Sequence, residues 1–151
     1  MEATSGLRPA RRWRLLLAHD AASTTCDGLA DAIVDALGNV DVVDAWSADD
    51  ARLDAGAGRL DVCLVCLDLA PAPVAGVRLA QEMVEQGLPV VIVTRSQRWI
   101  PQDAADLRQL PWIVPEASSE DVCAAIQMAI ASRGLVDPWA PDVGAAGLAA
   151  G

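Results

Sequence analysis

Apolar residues in this chain gather in short runs, and stretches with a helical period separate them; the alternation repeats five times. Trp13 to Ala18 reads as the first strand. The stripe Leu29, Ile33, Val34 and Leu37 then recurs at three- and four-residue intervals, which places these residues on one face of a helix. Thr24 or Thr25 can cap its start, because a hydroxyl accepts from the free amides of a first turn. Gly38 can end it, because glycine reaches the left-handed conformation at little cost. Val40-Asp41-Val42-Val43 is a second strand, with the imperfect alternation of a sheet edge. Ser47 caps a short helix to about Asp54, and Gly56-Ala57-Gly58 forms a turn after it.

Val62-Cys63-Leu64-Val65 and Val90-Val91-Ile92-Val93 are apolar throughout, as expected of strands buried on both faces. Between them lie a loop with Pro71 and Pro73 and a helix from about Val77 to Gln86, closed by Gly87. Pro101 opens a short helix over residues 101–110, and Trp112 to Val114 is the fifth strand. Ser118 caps the last helix, and Glu120 and Asp121 in its first turn favour the helix dipole. Val122, Ala125, Ile126, Ala129 and Ile130 form its apolar face, and Gly134 stops it.

Five strands alternating with helices predict an α/β fold: a doubly wound, flavodoxin-like parallel sheet of order 2-1-3-4-5. Its ligand site lies outside the carboxyl ends of the strands. Residues 1–11 read as a loose arm, 12–134 as the domain, and 135–151, rich in Ala, Gly and Pro, as a linker or tail.

Composition narrows the function. A hydrophobic content of 53% over 151 residues argues for one core and against general disorder. With no Phe or Tyr, Val, Leu, Ile, Ala and some of the Trp must fill it. A net charge of -10 repels phosphates, so direct nucleic-acid binding is not expected. No apolar run nears the roughly 18 residues of a membrane span, and the one behind Arg8, Arg11, Arg12 and Arg14 is too short for a signal peptide. Three of Cys26, Cys63, Cys66 and Cys123 sit in apolar patterns, as free thiols do in a reducing cytoplasm. Cys63-Leu64-Val65-Cys66 has redox or zinc spacing, but in a strand these two residues face opposite ways. Gly56-Ala57-Gly58 lacks the helix and lysine of a phosphate loop. A lone His with no nucleophile elbow makes a hydrolytic triad a poor fit. No catalysis and no cofactor are expected.

The strand ends carry the remaining signal. The first ends in His19-Asp20, the fourth in Thr94-Arg95, and the fifth in Trp112-Ile113-Val114-Pro115-Glu116. With the run Glu116-Ala117-Ser118-Ser119-Glu120-Asp121, this layout resembles the receiver domain of bacterial two-component response regulators over roughly residues 12–133. The resemblance implies two acids after the first strand that bind magnesium, and an aspartate after the third that accepts a phosphoryl group. It also implies a Ser or Thr after the fourth strand and a lysine after the fifth.

Here one of the paired acids is His19, which leaves Asp20, with Asp68 as a second candidate, for a weak metal site at most. The acceptor place falls on Cys66 by matching run lengths, or on Asp68 by counting back eight residues from Gly76. Both registers are open, and run length favours Cys66. Thr94 fits its place. Arg95 stands where a small residue is usual, free to cover the pocket by pairing with Asp20 or Asp68, or simply solvated. Pro115 stands where the lysine belongs, and all 11 basic residues are Arg. Absent a residual site, Asp20 would cap a loop and His19 would lie at the surface.

The resemblance with these departures implies a non-catalytic pseudo-receiver that acts without phosphorylation. Gene regulation through an effector protein or a homodimer would be its output. The candidate interface joins Trp112 to the last helix, with Ile126, Ile130 and the small Ala124, Ala125, Ala129 and Ala131. Two other readings stay open: a flavodoxin-like small-ligand or cofactor binder that uses Trp99, and a working receiver with Asp68 as acceptor.

Overall fold

In a computed structural model of the chain, five parallel strands pair in one sheet: β1 (Trp13–Ala18), β2 (Val40–Ala45), β3 (Val62–Cys66), β4 (Val90–Val93) and β5 (Trp112–Ile113). Their order across the sheet is β2-β1-β3-β4-β5. The structure describes residues 13–20, 26, 28–58, 60–69 and 74–132. The arm, the tail, Thr24, Thr25, Pro71, Pro73 and Gly134 lie outside these.

The period of two along each strand divides the core. Leu15, Leu17, Leu64, Val91 and Val93 face α1 (Leu29–Leu37) and α4 (Ser119–Ser132). Leu16, Ala18, Cys63, Val65 and Ile92 face α2 (Ala48–Ala57) and α3 (Val74–Glu85). β3 and β4 are buried along their whole length, which explains why they read as unbroken apolar runs. Arg52 on α2 forks onto Glu82 of α3 at 2.8 and 2.9 Å, and Ser119 of α4 donates to Asp35 of α1 at 2.8 Å.

Two caps form as the sequence predicts. Ser47 accepts from the Asp50 amide at 3.1 Å, and Ser118 from the Asp121 amide at 3.2 Å. α1 departs from expectation: it begins behind Gly28 with no side-chain cap, and Val34 stays exposed, so its buried stripe is narrower. Gly38 does end it, at φ 76. α2 runs on to Ala57 and absorbs Gly56 and Ala57 of the expected turn. α3 begins at Val74, three residues earlier than its period suggested. The fourth helix is not α-helical. Gln97–Trp99 and Gln102–Gln109 are 3₁₀ segments, and the second is broken at Ala104 (φ -105, ψ 47). Its buried anchors are Ala104 and Leu107, three apart, which a 3₁₀ turn stacks on one side.

Two corrections bear on partners. Ile126 and Ile130 are fully buried in the core between α4 and the sheet, so neither can face another molecule. Exposed apolar residues beside β5 and α4 include Trp112, Val114 and Met128. Among the described residues, no helix is long and apolar enough to cross a membrane.

Candidate functional site

The strand registers bring four chain segments to one edge. Ala18 pairs with Val65, Cys66 with Val93, and Val93 with Ile113. The ladder continues one row further: His19 donates its amide to Ala45, Leu67 to Val93 and Thr94 to Ile113, at 2.9 to 3.0 Å. The residues just after these strands therefore crowd the carboxyl edge.

A cavity of about 150 Å³ opens there, lined by Asp68, Val93, Thr94, Arg95, Trp99 and Pro115. Four of the residues singled out in the sequence, Asp68, Thr94, Arg95 and Pro115, thus share one pocket. Thr94 is buried, and its hydroxyl donates to the Ser96 carbonyl at 3.0 Å, which holds it in the turn after β4. Arg95 does not pair with Asp20 or Asp68 as either alternative had it. It forms an ion pair with Glu116, which joins the end of β4 to the segment after β5. The Arg95 hydrogen bond holds the Glu116 carboxyl below the usual carboxylate range. Glu116 stood in the sequence next to Pro115, but only the sheet order makes it Arg95's neighbour.

Cys66, His19 and Asp20 do not line the pocket. β3 ends at Cys66, and Leu67 and Asp68 form the turn that follows. The Cys66 sulfur turns into the core, 2.8 Å from that of Cys26. Its thiol pKa is raised, first by that contact and then by burial. His19 is not at the surface. It is 4% exposed, its Nε2 lies 3.2 Å from Asp44 Oδ1, and its ring packs 4.7 Å from that of Trp46. Its Nδ1 is buried without a hydrogen-bond partner. The side chain is thus held towards the β2 edge, away from the pocket. Asp20, half-buried, follows it. Cys26, Asp44 and Trp46 are site neighbours that no local pattern announced.

The pocket offers one carboxylate beside a guanidinium, and among the described residues no group of three His, Cys, Asp or Glu side chains is placed to hold a metal.

No protein-family model matches the chain, and no curated protein does. Solved structures do. The receiver domain of a modulated diguanylate cyclase from Desulfovibrio desulfuricans G20 superposes with a TM-score of 0.66 at 18% identity, over 82% of this chain and 97% of that one. A CheY-like receiver domain from Methanospirillum hungatei JF-1 gives 0.62 at 13% identity, over 82% and 97%. The response regulator TrrA of Thermotoga maritima, solved in complex with Mg²⁺ and BeF, gives 0.63 at 11% identity, over 78% and 98%. The fold is that of response-regulator receiver domains.

Proposed function

We propose that this chain is a pseudo-receiver: a signalling module that works through protein contacts and takes no regulatory phosphoryl group. The observation that carries the reading is Pro115 in the wall of the strand-end pocket, in a chain with no lysine anywhere. A transferred phosphoryl group carries negative charge, and a proline side chain offers it neither charge nor donor. The cation in the pocket lining, Arg95, is engaged by Glu116. The residue that ends β3 is a buried thiol. The single pocket carboxylate supports at most weak magnesium binding. Output through an effector, with gene regulation as the process, is part of this proposal, by analogy with receivers. A homodimer through Trp112, Val114 and Met128 is the simplest constitutive arrangement.

One observation favours a second reading. Asp68 and Thr94 line the same pocket, as an acceptor and its hydroxyl partner would. Cofactor binding is less well supported, because about 150 Å³ is well below the roughly 300 Å³ at which small-molecule sites begin. Incubation of the protein with acetyl phosphate or phosphoramidate and magnesium, followed by intact mass measurement, decides between the first two. The expected result is no added phosphoryl group. A stable adduct that disappears in Asp68→Asn would replace this reading with a working receiver.

A further inference from the structure

Cys26 lies in the connection between β1 and α1, and Cys66 closes β3; their sulfurs are 2.8 Å apart, both thiols are free, and both side chains are buried. That separation exceeds a covalent sulfur–sulfur bond of about 2.05 Å by less than an ångström. We propose that Cys26 and Cys66 form a redox site, converted to an intrachain disulfide by hydrogen peroxide. The pairing that sequence spacing suggests is a different one, Cys63 with Cys66. The sheet rules it out: Cys63 packs under α2 and α3, while Cys66 packs on the opposite face with α1 and α4.

The chemistry balances with peroxide alone as oxidant. The Cys26 sulfur attacks one peroxide oxygen, the O–O bond breaks, and hydroxide leaves with the electron pair to become water on taking up the thiol proton. Cys26 is then a sulfenic acid. The Cys66 sulfur attacks the Cys26 sulfur, the S–O bond breaks, and a second water leaves. Two thiols and one peroxide give one disulfide and two waters. Cys66 sits inside the five-stranded ladder and Cys26 outside it, so Cys26 takes the first step. Cys66 is already in contact, so the sulfenic acid is resolved before further oxidation.

The bond would reach the strand-end pocket directly. Leu67 and Asp68 follow Cys66 in the chain, and Gly76 of α3 sits against the Cys66 carbonyl oxygen. A covalent tie from the β1–α1 connection to this point would tether the turn that carries Asp68. It supplies an input at the same edge of the sheet, whether or not Asp68 takes a phosphoryl group.

Arginine cleavage makes the test clean. Trypsin places Cys26 in residues 15–52, Cys63 and Cys66 in 60–78, and Cys123 in 109–133. The full chain is treated with micromolar peroxide at neutral pH, blocked with a maleimide, digested without reductant and mapped by mass spectrometry. The expected product is peptide 15–52 joined to 60–78 through Cys66, with the intact mass lower by two hydrogens. Dithiothreitol should reverse it, and the oxidised protein should melt at higher temperature because a 40-residue separation is closed. Cys26→Ala should abolish the link; if that variant does not fold, the map of the unsubstituted chain still decides. Absence of the 15–52 to 60–78 link, a link to 109–133 in its place, or a link that forms only in denaturant would overturn the proposal.

Discussion

Replacing Gly76 by alanine should destabilise the protein, although alanine is the better helix former. A Cβ at Gly76 would lie 2.7 Å from the Cys66 carbonyl oxygen and 3.0 Å from the Leu67 Cα. Both are backbone atoms at the end of a central strand, so relief requires that α3 lift off β3. Overpacking of this kind costs roughly 1–3 kcal/mol. Against it stand the propensity gain, at most about 1 kcal/mol in a helix interior and less in a first turn. The clash wins, and the net loss is about 1–2 kcal/mol. Gly56→Ala is the control. Gly56 lies in α2, and a Cβ there meets nothing within 4 Å. Only the propensity gain remains, reduced near the helix end to about 0.5 kcal/mol. Urea unfolding followed by tryptophan fluorescence gives both numbers from the midpoint at constant slope. In a domain of this size the melting temperature should fall by roughly 2–8 °C in the first variant and rise by about 1–2 °C in the second. If Gly76→Ala proves as stable as the parent, or both substitutions shift stability in the same direction, α3 does not lie on the end of β3 as described.

The other expectations are brief. Arg52 hydrogen-bonds to Glu82 and so lowers its carboxyl pKa. A lowered folded pKa adds stability above the unfolded value, and that contribution is lost as pH falls through the folded one. Both side chains are about 40% exposed, so Arg52→Ala should cost only about 0.5 kcal/mol at pH 7, a difference that fades below about pH 4; a gap that persists unchanged at pH 3 would show that the loss is not electrostatic. Met128 is 60% exposed and lines an apolar groove of about 480 Å³ with Trp112 and Val114. Met128→Glu should leave the fold intact and convert a dimer to monomer in light scattering, and an unaffected dimer would move the interface elsewhere. Ile130→Glu buries a carboxylate and should cost about 4 kcal/mol or more, so a stably folded variant would contradict the placement of that residue in the core.

The sheet was legible because its central strands leave little choice. An apolar run of four or five bounded by turn residues can be satisfied only by burial on both faces, and two such runs fix the middle of a parallel sheet. The caps at Ser47 and Ser118 were legible for a local reason, since donor and acceptor lie within three residues. What failed depended on distance. Periodicity shows that Val122, Ala125, Ile126, Ala129 and Ile130 share a face, but the sheet already buries that stripe, so it has nothing left for a second copy. His19 gave no sign of burial, because its partners Asp44 and Trp46 arrive from the adjacent edge strand. The Arg95–Glu116 pair joins residues brought together by two neighbouring strands, and no spacing in the chain encodes that.

The two registers for the end of β3 turn on different physical quantities. Run length measures how far the strand is buried, and the strand ends at Cys66. Counting from Gly76 measures how far the loop must travel before α3 closes on the sheet. The structure connects the two points by contact: Gly76 sits against the carbonyl of Cys66 itself. The chain takes ten residues from Cys66 to Gly76 where eight would serve, and it spends part of that length on a turn that brings Asp68 to the pocket. One edge position is thereby split between two residues. The thiol takes the place in the ladder and points into the core, and the carboxylate takes the place in the solvent-facing cavity. This separation lets the peroxide and phosphoryl experiments fail independently, since each reads a different one of the two side chains.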